Sequence, residues 1–227
     1  MSMVSVDNRS ATGAPGAGSK ALIGLAFFVA IAFIVLAALP YYALLGSHEA
    51  AEHSLSQLQL SYFPKRAWLL THIAGGLVAL LAGPVQLWLG LHDRAMDVHR
   101  KLGYIYIAGM AVGSVGAIGL ALNTDGGMVF GAGLFFLAVA WMTTTTFAYA
   151  AIRKGLIDQH KDWTIRSYVV TFAFVTFRFF QVAMGAAHIG TLQQQIEIMS
   201  WACWAVPLLI TEAVIQGRKL SAPSPSP

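Results

Sequence analysis

Two short charged segments interrupt an otherwise apolar chain, and each places a carboxylate two residues before an imidazole. The first is DVHR, Asp97 to Arg100, and the second is DQHK, Asp158 to Lys161. Each segment stands directly before an apolar run. Imidazole and carboxylate groups bind divalent metals, and imidazole also exchanges protons near neutral pH. The repeat therefore raises two interpretations, a divided binding site and a pair of helix starts.

The first interpretation is a site assembled from both segments. His99 and His160 would supply nitrogen ligands for a divalent metal ion, and Asp97 and Asp158 would supply oxygen ligands. Without a metal, the two imidazoles would form an inner pair of protonatable groups. A metal that is lost when both histidines are replaced would support this interpretation.

The second interpretation needs no ligand. An aspartate at or near the N-cap of a helix accepts hydrogen bonds from free backbone N–H groups and complements the positive end of the helix dipole. The basic residue at the end of each segment would contact lipid phosphate. Because such residues are common at helix starts, this is the simpler interpretation.

Polar residues inside two apolar runs give a second candidate site. His72 stands on a face of small and polar residues in one run, and Arg178, Gln181 and His188 share a face in another. An arginine exposed to lipid at a helix centre costs roughly 2.5–3.5 kcal/mol, so Arg178 should face the bundle interior. We predict an outer-leaflet pocket formed by His72, Arg178 and Gln181, with an anion or an acceptor oxygen as the missing partner.

The same residues also have structural explanations. Gly76 and Gly83 would form a seam where helices approach closely, and His72 would hydrogen bond to a neighbouring helix. The hydroxyls of TTTT, residues 143–146, would bond to carbonyls one turn earlier. Several aromatic residues near the charged segments would anchor helix ends at the membrane interface: Tyr104, Tyr106, Trp163 and Tyr168.

The composition indicates which elements must hold these residues. Of 227 residues, 57% are hydrophobic and only 11% are charged, with a mean hydropathy of +0.65. A soluble domain carries about a quarter charged residues, so this is the composition of a membrane protein. The single cysteine, Cys203, excludes a disulfide within the chain. The net charge of +4 comes from basic residues at the ends of apolar runs, which indicates membrane topology rather than nucleic-acid binding.

The apolar runs predict an all-α, polytopic membrane bundle of about six transmembrane helices. They cover residues 21–44, 66–91, 103–122, 127–151, 163–187 and 197–216. Each run is long enough to cross a hydrocarbon core of roughly 30 Å. We therefore divide the chain into a flexible tail at 1–20, a first helix at 21–44, a four-helix core at 66–187, a last helix at 197–216 and a flexible tail at 217–227.

Lysine and arginine collect on one side of this arrangement. They precede the first run, lie in the connections after the second and fourth runs, and follow the sixth. By the positive-inside rule, both termini and both charged segments face the cytoplasm. The expected location is the cytoplasmic membrane, with the lipid bilayer as the main partner and no role in nucleic-acid binding. A homo-oligomer and a partner membrane subunit both remain open.

Four stretches of the chain resemble a known family. They are HIAGGLVALLAGPVQ at 72–86, HRKLGYIY at 99–106, HKDWTIRSY at 160–168, and the arginine that follows at 178. Together they resemble an uncharacterised family of bacterial multi-pass "predicted membrane proteins" with no established activity. The resemblance implies a four-helix core with variable flanking helices. Tyr104 and Thr164 depart from the pattern, and the residues that match it are His72, His99, His160, Trp163, Arg166 and Arg178.

The residues leave several functions open. A membrane redox protein would hold haem b or quinone in the bundle, with His72 and His188 as an outer pair of haem ligands. His99 and His160 would be the inner pair. A protein that binds or transports lipids or small anions would instead use Arg178 and His72 as its pocket. A structural or assembly protein would need no site. The sequence contains no nucleophile elbow, phosphate-binding glycine loop or HExxH motif, so no reaction is assigned.

Overall fold

The protein is a bundle of α-helices. The computed structural model describes residues 17–34, 36 and 63–221. No strand occurs among these residues, and a single 3-10 turn, Phe63–Lys65, leads into the second helix. The helices are α1 (Ala17–Phe33), α2 (Arg66–Leu91), α3 (Met96–Leu122), α4 (Gly127–Arg153), α5 (Ile157–Thr171), α6 (Ala173–Ala186) and α7 (Leu192–Ser221).

The predicted all-α membrane bundle is confirmed. Four helices are long and apolar enough to cross a membrane, namely α2 with its leading turn, α3, α4 and α7. The count becomes five if α5 and α6, which meet at a bend of 43°, together form one span. The six-span count and the cytoplasmic termini stay predictions. The end of the predicted first run and most of both predicted tails lie outside the described residues, whereas residues 17–20 and 217–221 belong to α1 and α7.

Glycines bring α2 and α3 into backbone contact. A Cβ atom on Gly75 would lie 2.7 Å from Cα of Gly113, and one on Gly116 would lie 2.8 Å from Cα of His72. Carbon atoms pack at about 3.5–4.0 Å, so neither position has room for a side chain. Small residues permit this close approach in membrane helices. The α2–α3 hairpin is thus a tightly joined pair.

Gly83 and Pro84 of α2 create the contact site for the Tyr168 side chain of α5. Proline has no N–H, so Pro84 leaves the carbonyl of Leu80 without its helical donor. The Tyr168 hydroxyl donates to that carbonyl at 3.3 Å. A Cβ atom on Gly83 would overlap the Tyr168 ring, so this glycine provides the space for the ring. Tyr168 therefore joins α5 to α2.

The buried tyrosines correct one prediction. Tyr106 and Tyr168 are 6% and 8% exposed and pack in the central core with Met110 and Trp141, so their assignment as interface anchors is wrong. Tyr104 is 61% exposed, as an anchor requires. The burial follows from hydrogen bonding, since both buried hydroxyls find partners inside the bundle.

Ion pairs attach α7 to α5. Arg166 is bound to Glu212 at 2.6 Å, and its guanidinium also lies 4.6 Å from the ring centre of Trp163. Closer to the helix end, Lys219 pairs with Asp162 at 2.6 Å. The Arg166 side chain is only 8% exposed, so a buried positive charge is neutralised within the bundle.

Candidate functional site

The two repeated segments bring their histidines together. His99 lies in the first turn of α3 and His160 in the first turn of α5. Their ring centres are 6.3 Å apart, and the ring planes are nearly perpendicular, at 88°. Both side chains are partly buried. One end of the bundle therefore holds a pair of imidazoles from two helices that are separate in sequence.

Each imidazole is held by the helix that precedes its own. His99 Nδ1 lies 3.0 Å from the carbonyl oxygen of Gln86 in α2, and His160 Nδ1 lies 2.8 Å from that of Ala148 in α4. A carbonyl oxygen only accepts hydrogen bonds, so Nδ1 carries the proton in both rings. In the neutral rings both Nε2 atoms then keep a lone pair. The site thus offers two nitrogen acceptors or ligands in fixed orientations.

Both histidines line a cavity between α2, α3, α4 and α5. Its volume is about 220 Å³. Gln86, which is 8% exposed, contributes its amide to the α2 wall. The remaining lining residues are Arg100, Gly103, Tyr104, Tyr106, Ile107, Thr145, Ala148, Tyr149, Ile152, Arg153, Thr164 and Ser167.

The inner wall of the cavity is rich in hydroxyl groups. Thr145, Ser167 and Tyr106 line it and are connected by hydrogen bonds of 2.7 Å. Thr164 also lines it, and its buried hydroxyl has no hydrogen-bond partner in the described part of the chain. A buried polar atom without a partner is unfavourable by roughly 1–3 kcal/mol. A ligand or water with hydrogen-bonding groups would satisfy it.

The mouth of the cavity is aromatic and basic. Tyr104 and Tyr149 have ring centres 6.5 Å apart, and Arg153 Nη1 donates to the Tyr149 hydroxyl at 3.1 Å. Ile152, beside them, is 41% exposed. A mouth with exposed apolar groups and a positive charge suits a molecule that enters from lipid with a polar end.

The aspartates of the repeat do not join the histidines. Asp97 lies 3.5 Å from Arg100 and its side chain is 90% exposed, and Asp158 is exposed in the first turn of α5. Among the described residues, no three His, Cys, Asp or Glu side chains gather as a metal site. The helix-start interpretation accounts for their location in the first turns. The expected capping bond does not form, because neither helix has a side-chain hydrogen bond at its N-cap.

His72 and Arg178 each hydrogen bond to a group within the bundle. His72 Nδ1 donates to the Gly113 carbonyl at 2.8 Å, and its ring lies 4.5 Å from that of Phe174. Arg178 donates to Gln181 at 2.7 Å. The contacts of His72 thus support its structural explanation, a hydrogen bond to a neighbouring helix.

His188 follows α6 in an exposed loop with a left-handed backbone, at φ 53. His72 lies inside the bundle, where α3 and α6 occupy one ring nitrogen and one ring face. The two imidazoles therefore differ in environment, in contrast to the matched pair at the other end of the bundle. The outer pocket and the outer haem pair stay predictions.

Residues 69–215 match the family described as Predicted membrane protein (DUF2306). The chain belongs to this family. The matched region begins within α2 and ends within α7, so it contains the cavity and both imidazoles. No curated protein and no solved structure matches the chain.

Within this DUF2306 chain, the two departures from the expected pattern both line the cavity. Tyr104 contributes an exposed ring at the mouth, and Thr164 contributes the unpartnered hydroxyl. The resemblance to a family of predicted membrane proteins is confirmed by the family match.

Most of the hydroxyl wall could not be predicted from the sequence. Thr145 belongs to TTTT, and its bond to the carbonyl of Trp141 at 2.8 Å agrees with the expectation of self-contained threonines. The same hydroxyl also reaches Ser167 across to α5. Tyr106 was missed because an amphipathic side chain near a helix end is typical of the interface. The spacing of Ser167 and Thr171, one turn apart on α5, was the available signal.

Proposed function

We propose that this membrane protein binds a lipid-soluble quinone in the cavity lined by His99 and His160, with one quinone oxygen toward the two imidazoles. The observation that carries the proposal is the matched pair of imidazoles, each with Nδ1 bonded to a carbonyl and each lining one cavity. A neutral Nε2 accepts a hydrogen bond from a quinol hydroxyl, and a protonated Nε2 donates one to a quinone carbonyl. The pair therefore suits a ligand that exists in both states.

The size of the cavity agrees with a single substituted ring. A closed apolar cavity of about 150 Å³ is large enough for benzene. The volume of about 220 Å³ leaves room for ring substituents. Tyr104 and Ile152, which line the cavity, are exposed at its mouth, so an isoprenoid tail would leave the cavity there and lie in lipid. The unpartnered Thr164 hydroxyl supplies a further polar contact.

Haem b fits this cavity poorly. Two imidazoles are a suitable pair of axial ligands, but a porphyrin has several times the area of the single ring that such a volume accommodates. We derive no role for haem. A metal ion would find only two protein ligands here among the described residues, whereas structural zinc sites use four.

An anionic lipid headgroup is the second candidate ligand. Arg100 and Arg153 both line the cavity, and guanidinium groups bind phosphate through paired N–H donors. This alternative predicts that binding depends on the arginines rather than on the histidines. The proposed location is the cytoplasmic membrane with the cavity toward the cytoplasm, supported by the distribution of basic residues.

The test is a binding titration of the purified protein in lipid nanodiscs with a short-chain ubiquinone analogue. We expect His99→Ala and His160→Ala each to weaken binding roughly fivefold to thirtyfold, the equivalent of about 1–2 kcal/mol for one buried hydrogen bond. His92→Ala is the matched control, because that histidine bonds Trp88 in its own helix turn and does not line the cavity.

Equal affinity in all four proteins would refute the proposal. If phosphatidic acid displaces the quinone analogue from the wild type but not from Arg153→Gln, the ligand is instead the lipid headgroup. An absorbance spectrum of the purified protein provides an independent check, since a Soret band would show that haem binds despite the cavity volume.

A further inference from the structure

Four buried hydroxyls form a continuous hydrogen-bonded chain behind the histidine pair. The chain runs from Thr145 to Ser167, from Ser167 to Tyr106, and from Tyr106 to Thr171, and each oxygen–oxygen distance is 2.7 Å. Each of the four residues is at most 6% exposed. At its ends, the Thr145 hydroxyl oxygen lies 2.8 Å from the carbonyl oxygen of Trp141, and the Thr171 hydroxyl oxygen lies 2.9 Å from the carbonyl oxygen of Ser167.

The protons of this chain can be arranged in two complete ways. Each hydroxyl has one proton to donate and can accept as well. In the first arrangement every proton points along the chain toward Thr145, whose own proton goes to the Trp141 carbonyl. In the second, every proton points toward Thr171, whose own proton goes to the Ser167 carbonyl. Either arrangement satisfies all four hydroxyls, so neither is excluded by an unmade bond.

The two arrangements present opposite groups to the cavity. Thr145 lines the cavity, whereas Thr171 lies at the far end of the chain, away from the lining. In the first arrangement the Thr145 proton can turn from the Trp141 carbonyl to a ligand, because that carbonyl still accepts the backbone N–H of Thr145 within α4. In the second arrangement, Thr145 donates a hydrogen bond to Ser167, and its oxygen is available to accept one from a ligand. Reversal of the chain thus turns a donor into an acceptor.

We infer that this chain is a reversible hydrogen-bond relay that lets the cavity hold a ligand oxygen in both its carbonyl and its hydroxyl form. The inference rests on the proposed quinone site. It assigns the Thr145 hydroxyl as the group that adapts to the quinone and quinol states of the ligand. A quinone carbonyl selects the arrangement that points toward Thr145. A quinol hydroxyl selects the opposite one. Thr171 acts as a positioning residue, since it terminates one arrangement without lining the cavity.

Thr171→Val tests the relay because it removes one of the two arrangements. Without the Thr171 oxygen, the Tyr106 proton has Ser167 as its remaining chain acceptor, and the chain points toward Thr145. The Thr145 donor is then favoured, so quinone binding should gain over quinol binding. We expect the ratio of the quinol Kd to the quinone Kd to rise roughly three- to tenfold, the scale of one hydrogen bond.

Thr144→Val is the matched control. Thr144 is also buried, at 4% exposed, and it donates to carbonyls of its own helix outside the chain. It should leave the ratio unchanged, and Thr171→Ser, which keeps the hydroxyl, should restore the wild-type ratio. In a Tyr106→Phe background the chain is already cut, so Thr171→Val should have no further effect. If the valine variant does not fold, Thr171→Ala removes the same oxygen without adding volume.

An unchanged ratio in the folded Thr171→Val or Thr171→Ala variant would overturn the relay, as would a shift of equal size in Thr144→Val. A measurement without ligand separates this result from the proposed function. With ring-labelled tyrosine, the infrared C–O band of Tyr106, identified by its loss in Tyr106→Phe, should contain two components in the wild type and one in Thr171→Val. If the wild type binds neither quinone nor quinol, the proposed function is wrong, and the infrared comparison alone decides whether the chain reverses. Identical band shapes would refute reversal.

Discussion

The close approach of α2 and α3 predicts that Gly116→Ala destabilises the protein. A Cβ atom on Gly116 would lie 2.6 Å from the carbonyl oxygen of Trp68 and 2.8 Å from Cα of His72. Since carbon contacts need about 3.5 Å, Gly116→Ala forces the helices apart by up to about 1 Å. The shift would also stretch the hydrogen bond from His72 to Gly113, which is 2.8 Å long. The substitution therefore disturbs both packing and a buried polar contact.

The expected loss can be worked from two opposing effects. Overpacking destabilises by about 1–3 kcal/mol, and replacing a helical glycine by alanine stabilises by roughly 0.5–1 kcal/mol. The net destabilisation of up to about 2.5 kcal/mol corresponds to a fall in Tm of up to roughly 10 °C for a chain of this size. Cys203 provides the assay, because this single cysteine is 1% exposed and reacts with a thiol dye only when the bundle opens.

Gly217→Ala is the control that separates the change in helix propensity from the packing clash. A Cβ atom on Gly217, in α7, would meet nothing within 4 Å, so only the favourable change in helix propensity remains. Its Tm should stay level or rise by a few degrees, on the order of the gain from that propensity. A rise in Tm for Gly116→Ala as well would show that α2 and α3 do not pack backbone to backbone.

Two further predictions concern the attachment of α5. Tyr168→Phe should destabilise the protein by roughly 0.5–1 kcal/mol, because the Leu80 carbonyl beside Pro84 loses its donor. The loss of stability should be smaller in a Pro84→Ala background, where the helix supplies that donor. Equal losses in both backgrounds would show that the Tyr168 hydroxyl does not replace the donor that Pro84 lacks. Glu212→Ala should cost about 1–3 kcal/mol, since it leaves the buried Arg166 unpaired. Asp162→Ala should cost less than about 1 kcal/mol, because its partner Lys219 is 54% exposed; equal Tm values for the two variants would contradict this ranking.

The sequence predicted the class of the fold because hydrophobic run length reports directly on membrane insertion. It did not predict the break after Thr171, where the apolar pattern continues from α5 into α6 without interruption. The break lies among threonines that donate to carbonyls four residues earlier, at Ser167 and Phe172, and such contacts bend helices. A local polar contact of this kind leaves no trace in hydropathy.

The candidate site was only partly predictable, for a related reason. His99 and His160 could be paired from a repeated tetrapeptide, since a repeat carries positional information. The hydroxyl chain joins Thr145 of α4 to Tyr106 of α3 through Ser167 of α5, and these positions share no motif. Their relation depends on how three helices rotate about their axes. That rotation is set by packing across the bundle, which a single sequence does not reveal.

The repeated tetrapeptide can be explained without choosing between a helix start and a site. Gln86 and Ala148, whose carbonyls hold the two imidazoles, each lie five residues before the last residue of their helices, Leu91 and Arg153. A histidine in the first turn of the next helix is the residue that can reach back to such a carbonyl.

The aspartate two residues earlier favours the start of that helix through its dipole, and the short connection brings the imidazole onto the preceding helix. The helix start therefore positions the site. Two hairpins built in this way turn their imidazoles toward each other at a separation of 6.3 Å, which one hairpin alone could not achieve. If His99 and His160 act as a pair, replacing either one should weaken quinone binding as much as replacing both.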